Sequence, residues 1–338
     1  MRPQVHSSRV RALFAGLALL AASACAFETA PDTATSDLEG TAAKEQAVFG
    51  GEPATKKRYK PIGAIAIRYV YEEPGQPPFV YFNPICSATL VDDKAIVTAR
   101  HCTQALANYE AEGNPGYFLI GDDTTAPEQV LRIQGWKEAP SSPSHPGLLF
   151  DGGRDVAVAY LQDCPRKVEP AKIGEFKPKM VKDKFEIVGY GWNDSLIEEY
   201  GPGAYTIGTR FAGNVKGRAL SGAWYPLLFN GDYDAYLEWY FTDAVTGSPS
   251  EEEAAAWWEA FTLEPNYELL AGGREGEALG CNGDSGGPLL LKEKDLTVVG
   301  ISFAVESSQS TICTLGGGYL VFNKEMKRFV ESALKHRH

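Results

Sequence analysis

The 338 residues predict an all-β protein: two packed antiparallel β-barrels, a C-terminal helix and an inserted aromatic-rich segment. Three observations carry this. Short apolar runs separated by turn residues recur in two series, residues 62–162 and 184–323. Glycine is plentiful at 35 residues and phenylalanine and tyrosine number 16 each, a balance that suits turns and strands over helical bundles. Long amphipathic helices do not alternate with the runs, as a parallel-sheet α/β fold would require.

In the first series, "AIAIRYV" (64–70) has the two-residue period of a half-buried strand. "SATLVDDKAIVTA" (87–99) reads as a β-hairpin turning at Asp92, Asp93 and Lys94, followed by "YFLIGDDTT", "VLRIQGW" and "DVAVAYLQ". The second series is "KFEIVGYGW", "YTIGTRFAGNV", "GGPLLLK", "TVVGISFAV" and "GGYLVFN". Met326, Phe329, Val330, Ala333 and Leu334 have helical spacing behind a capping Asn323. Residues 219–261 break the strand pattern, being dense in aromatic and acidic residues. Their "SPSEEEAAAWWEAF" portion predicts a helix opened by Ser250, with acids in its first turn.

The N-terminus reads as an export signal over residues 1–26. Arg2, Arg9 and Arg11 precede the apolar "ALFAGLALLAA", and the small residues "SACAF" follow. Two processing routes fit: cleavage before Phe27, or a bacterial lipobox ending at Cys25, which would then carry a lipid anchor. Residues 27–47 are small, polar and acidic, a disordered propeptide or linker, and residues 48–338 form the folded domain. No later run is long enough for a transmembrane span. The expected location is outside the cytoplasm, secreted or lipid-anchored at the cell envelope, and a monomer is expected. A net charge of −12 without a basic stripe argues against a nucleic-acid partner.

Export permits disulfides, which makes the cysteines informative. Cys86, Cys102, Cys164, Cys281 and Cys313 have no zinc-site spacing, so neither metal nor cofactor is expected. Their number is odd, leaving Cys164 free or paired with Cys25.

The chemistry centres on "CNGDSGGPLLL" (281–291), where Ser285 sits in a G-x-S-x-G pattern. A serine hydroxyl needs a base, usually a histidine held by a carboxylate. Of five histidines, His6 leaves with the signal, His145 sits in the turn-like "SHPG", and His336 and His338 end the chain. His101 remains, at a strand end beside Cys102, with Asp155 of "RDVAVAYL" as the carboxylate. The order is therefore His101, Asp155, Ser285. An α/β-hydrolase runs serine, acid, histidine and would have to recruit Asp295 and His336 from a frayed tail.

In order along the chain, "VFGGEPA", "VTARHC", "RDVAVAYL", "VGYGW" and "GCNGDSGGP" resemble the N-terminal, histidine, aspartate, interbarrel and serine motifs of trypsin-like, chymotrypsin-fold serine proteases. The resemblance runs from residue 48 to the terminal helix. It implies an exported endopeptidase acting on proteins or peptides, with Ser285 as nucleophile, His101 as base and Asp155 orienting it. The backbone N–H groups of Gly283 and Ser285 would form the oxyanion hole. Asp284 would receive the ammonium of Val48 after cleavage behind Ala47. Disulfides Cys86–Cys102 and Cys281–Cys313 are implied, and the family's third, near "YELLAGG", is absent. Leu279 falls at the pocket floor where a cation-binding member has aspartate. With Ser302, Phe303, Ala304 and Gly317 it implies a shallow apolar pocket for small or medium aliphatic residues. In the family the 219–261 region lies beside the substrate cleft, so the insertion is either a peripheral decoration or a lid using Trp224, Trp257 and Trp258. Two other functions share these residues: a non-catalytic binding protein of the same fold, and an esterase with the same triad.

Overall fold

A computed structural model describes Val48 and residues 50–142, 154–192, 207–244, 250–305, 313 and 315–335. The export signal, Cys25, the whole 27–47 segment, His145 and His336 lie outside these residues. After a short β1 (Glu52–Pro53), the first barrel comprises β2 (Ile62–Tyr71), β3 (Phe79–Asp92), β4 (Ala95–Thr98), β5 (Gly116–Ile120), β6 (Gln129–Glu138) and β7 (Ala157–Leu161). They close in the order β2-β3-β4-β7-β6-β5, all antiparallel. The hairpin turns where expected, β3 ending at Asp92 and β4 starting at Ala95.

β8 (Lys172–Ile173) leads into the second barrel: β9 (Lys184–Gly189), β10 (Phe211–Ala219), β13 (Glu268–Ala271), β14 (Pro288–Leu291), β15 (Thr297–Val305) and β16 (Gly317–Val321). The ring runs β10-β13-β16-β15-β14-β9 and closes because β9 also pairs with β10. The fold is thus two closed six-stranded antiparallel barrels.

The half-buried reading of "AIAIRYV" needs correction. Residues 62–67 are all buried, because the small Gly63, Ala64 and Ala66 let neighbouring chain cover the strand's second face. Beyond Ile67 the strand does become partly and then fully exposed.

Each end of the domain packs away from its own neighbour in sequence. β1 adds to β10 of the second barrel, while the terminal helix α5 (Lys324–Lys335) buries Met326, Val330 and Ala333 in the first-barrel core. Asn323 caps that helix, its Oδ1 accepting from the Glu325 and Met326 N–H groups at 2.9 Å. Buried Arg210, just before β10, donates to the carbonyls of Ala54, Tyr59 and Ile62 and ion-pairs with Asp122, tying the barrels together.

Among the elements the sequence reading missed, two bear on the site. A twelve-residue helix, α1 (Arg100–Ala111), starts where His101 was placed at a strand end. Its buried face is only Cys102, Thr103 and Leu106, too sparse a stripe to signal a helix. "ELLA" forms β13, a strand too short to read by periodicity.

The insertion occupies the chain between β10 and β13, extending the expected 219–261 to about residue 267. β11 (Gly222–Ala223) pairs with β12 (Thr262–Leu263) and pinches its base. Between them lie α2 (Trp224–Leu228), α3 (Tyr233–Trp239), a π-turn (Tyr240–Ala244) and α4 (Glu251–Ala260). Ser250 caps α4 as expected, accepting from the Glu253 N–H. Trp224, Tyr225, Tyr236, Trp239 and Tyr240 form an apolar cluster of their own, joined by Leu270 of β13.

Candidate active site

The strand register brings His101 and Asp155 together. β4 and β7 pair with Thr98 opposite Ala157, so the chain leaving β4 and the chain entering β7 meet at one barrel end. Three residues past Thr98 is His101. Two residues before Ala157 is Asp155, whose side chain is 1% exposed. No side chain of the preceding Ala99 can cap α1. Asp155 does so from across the barrel, its Oδ1 accepting the His101 backbone N–H at 2.9 Å while Oδ2 lies 2.6 Å from His101 Nδ1. One carboxylate therefore satisfies an orphan helix N–H and fixes the imidazole ring.

Ser285 is anchored from the second barrel against this end of the first. Its carbonyl accepts the Ser87 N–H at 2.8 Å and lies 3.6 Å from Cys102 Sγ, next in sequence to His101. Ser87, which sequence reasoning passed over, is the hub of the junction. Its hydroxyl donates to the Gly283 carbonyl and accepts the Tyr190 N–H, both at 3.0 Å, and its carbonyl accepts from Thr98 Oγ1. The available signal was a pair of alternating polar residues, Ser87 and Thr89, in the otherwise apolar run "CSATL". Close approach explains the glycine after Ser285: a Cβ on Gly286 would lie 2.1 Å from Thr98 Oγ1 and 2.4 Å from the Ser87 carbonyl. Gly283 has φ +97°, a conformation that favours glycine, and among the described residues neither its N–H nor that of Ser285 has a backbone acceptor.

Disulfides join Cys86 to Cys102 and Cys281 to Cys313, as the resemblance implied. The first braces the start of α1. It also ties up both sulfurs near His101, so that cluster offers no thiolate to a metal. Cys164 is exposed and unpaired.

Asp284 is buried, its carboxylate accepting the Gly191 and Cys281 N–H groups at 2.8 Å each. Burial pushes its pKa up to about 7 despite those two donors, which pull the other way. Val48 is buried too, in left-handed backbone at φ +37°, and lines a small cavity together with Asp284, Gly280, Ser302 and Tyr319.

The predicted pocket residues fall in three places. Ser302, Ala304 and Gly317 gather near Tyr319, with Ser302 opposite Tyr319 on β16 and a Gly317 Cβ position 3.3 Å from the Tyr319 ring. Leu279 is buried and turns toward Gly272. Phe303 sits at the bulge in β15, its ring against Gly318, where Trp224 of the insertion also arrives. Tyr319, Gly280 and Gly318 were not singled out from the sequence, although "GGGYLVF" carries two of them.

Comparison with known families bears out the resemblance to trypsin-like serine proteases: residues 262–322, which include Ser285, match the model described as Trypsin. No curated protein matches the chain. Among solved structures it is similar to neuropsin, described as a serine protease expressed in the limbic system of mouse brain. The identity is 18% over 83% of this chain and 98% of that one, with a TM-score of 0.49. Among the described residues, no helix is long and apolar enough to cross a membrane.

Proposed function

We propose that this chain is an exported serine endopeptidase working through His101, Asp155 and Ser285. The observation that carries the reading is the buried Asp155 gripping both the backbone and the ring of His101, at the barrel end where Ser285 is anchored. The trypsin-family match over the Ser285 segment supports it. Ser285 Oγ attacks the scissile carbonyl carbon and gives its proton to His101 Nε2. The Gly283 and Ser285 N–H groups stabilise the resulting oxyanion. The C–N bond then breaks as His101 returns the proton to the leaving amine, and water, deprotonated by the same histidine, hydrolyses the acyl-enzyme.

Leu279 offers no charge to an entering Arg or Lys, so Ala, Val or Leu before the cut is the favoured substrate. Such a pocket also accepts Ala47. The chain would therefore be made as a zymogen, cut at Ala47–Val48 by another copy of itself, freeing the Val48 ammonium to meet Asp284. Residues 1–26 direct export, and Cys25 is the residue that would hold a lipid anchor.

A fluorophosphonate label tests the core of this reading. Processed wild type should be labelled and Ser285→Ala should not. Wild type that starts at Val48 and resists the label would leave the fold without the proposed chemistry.

A further inference from the structure

Beyond the barrel the β2–β3 ribbon becomes a free arm. β2 pairs with β5 only from Ala64 to Ile67, and β3 does not meet β4 before Thr89. At the root, the Arg68 N–H still donates to the Pro115 carbonyl, and Tyr69 and Phe82 pack against the core, Phe82 edge-on to Tyr117 of β5. Beyond that, from Val70 to Tyr71 and from Phe79 to Tyr81, the two strands pair only with each other. Their register puts Tyr69 opposite Tyr81 and Tyr71 opposite Phe79. Pairs two residues apart share a face, so the four rings lie on one side, Tyr69 half-buried at the root and Tyr71, Phe79 and Tyr81 exposed. Tyr71 is 56% exposed and Phe79 63%, with ring centroids 6.4 Å apart. Val70, Tyr71, Phe79, Val80 and Tyr81 account for five of the seven large apolar side chains most exposed among the described residues. A ribbon of two strands gains little stability from such a surface, which marks it for a partner.

We infer that the arm is a docking surface for the flanking sequence of a polypeptide substrate; this rests on the peptidase reading of Ser285. The strand itself connects the two places. β3 runs from Phe79 at the arm to Ser87, whose N–H holds the Ser285 carbonyl, a span of about 26 Å at ~3.3 Å per residue. An extended chain gripped at Ser285 reaches the arm with about eight residues on one side of the cut. The tip argues against other occupants. Glu72 and Glu73 repel an anionic lipid surface, and Pro74, Pro77 and Pro78 obstruct strand-to-strand pairing with a second copy. The same acids favour a basic residue in a substrate whose apolar and aromatic side chains lie on the exposed rings of Tyr71, Phe79 and Tyr81.

The test compares wild type with Tyr71→Ser/Phe79→Ser, two exposed changes outside both barrel cores. Casein serves as the long substrate and a short Ala-p-nitroanilide peptide as one that ends before the arm. The variant should lose about tenfold in kcat/KM on casein, through KM, with the short peptide unaffected. In the Ser285→Ala background, fluorescent casein should bind about tenfold more weakly once the two rings are gone. That binding arm separates the two ideas, since wild type inert toward every substrate alongside ring-dependent binding would overturn the peptidase reading and sustain the docking surface. The docking surface falls if casein kinetics are unchanged, if both substrates lose equally, or if the rings instead drive dimer formation or sedimentation with phosphatidylcholine vesicles.

Discussion

The two barrels share a strand count and differ in what they bury. The first is filled by Ile62, Ile65, Leu90, Ile96, Val97 and similar side chains, and the one deeply buried acid among its described residues, Asp155, is fully engaged by His101. The second buries Asp284, Arg218, Glu264 and Glu268, and packs backbone so closely that a Cβ on Gly189 or Gly191 would strike the Asp284 carboxylate. Such groups are stable only with specific partners, so a barrel that buries them can change state when a partner arrives. On the proposed reading the first barrel is a fixed mount for the base. The second, with the proposed nucleophile, the buried carboxylate and the insertion, would hold the parts that processing and substrate act on.

Asp155→Asn should give the largest effect and breaks the comparison at its firmest point. An asparagine Oδ1 can still accept the His101 backbone N–H, so α1 keeps its start, but the ring is no longer held in the required tautomer. The expected loss is roughly 10⁴-fold in kcat with the melting temperature little changed. A variant that unfolds instead would show that the first barrel depends on its one buried acid as much as the second depends on its own.

How much of this could be read from sequence follows the same division. The first-barrel strands, the hairpin at Asp93 and the pairing of His101 with Asp155 were legible, because aliphatic alternation and local motifs encode them. The helix under His101 was not, since its buried stripe is three residues, one of them a threonine. In the second barrel, Ser285 and its glycines stood out while β13 and the edge of the insertion did not. Short strands and aromatic clusters carry no period, and their place is set by contacts such as Leu270 with Trp224 and its neighbours, far apart in the chain. Ser87 was missed for a related reason: its importance lies in bonds to residues 103 and 196 positions away.

A smaller effect sharpens the idea that the second barrel awaits a partner. In the uncleaved chain Asp284 has a pKa raised to about 7 by burial, above its ordinary carboxylate value. Between about pH 4 and 7 the folded state then binds more protons than the unfolded state, so this residue's contribution falls as pH rises and levels off above 7. Once Val48 carries a free ammonium the sign reverses. The carboxylate is held below its unfolded pKa, and its contribution is present at neutral pH and lost as the pH drops. Melting curves from pH 4 to 8 for unprocessed Ser285→Ala, with and without Asp284→Asn, should show the first slope only where Asp284 is present. Protein beginning at Val48 should show the opposite one. Equal slopes before and after processing would mean that Val48 does not reach Asp284.

The smallest predicted effect asks whether the insertion is part of the second barrel or a unit mounted on it. Its rings pack mainly on one another, with Tyr236 and Trp258 centroids 4.8 Å apart, and β11–β12 closes its base. Charged groups of the barrel hold it at two places: Arg218 of β10 donates to the Leu227 carbonyl and to Asn230 Oδ1 from one nitrogen and to the Gly272 carbonyl from another, and Glu268 of β13 accepts the Glu264 N–H at 2.7 Å. Ser250→Ala removes the N-cap of α4, whose first turn holds Glu251, Glu252 and Glu253, and should cost about 1 kcal/mol. If the insertion opens on its own, that loss appears as faster amide exchange confined to residues 224–263, with β9, β10 and β14 as protected as before. Exchange that quickens through those strands as well would show a single cooperative body, and the meeting of Trp224 and Phe303 over Gly318 would then carry changes in the insertion to the wall of the proposed pocket.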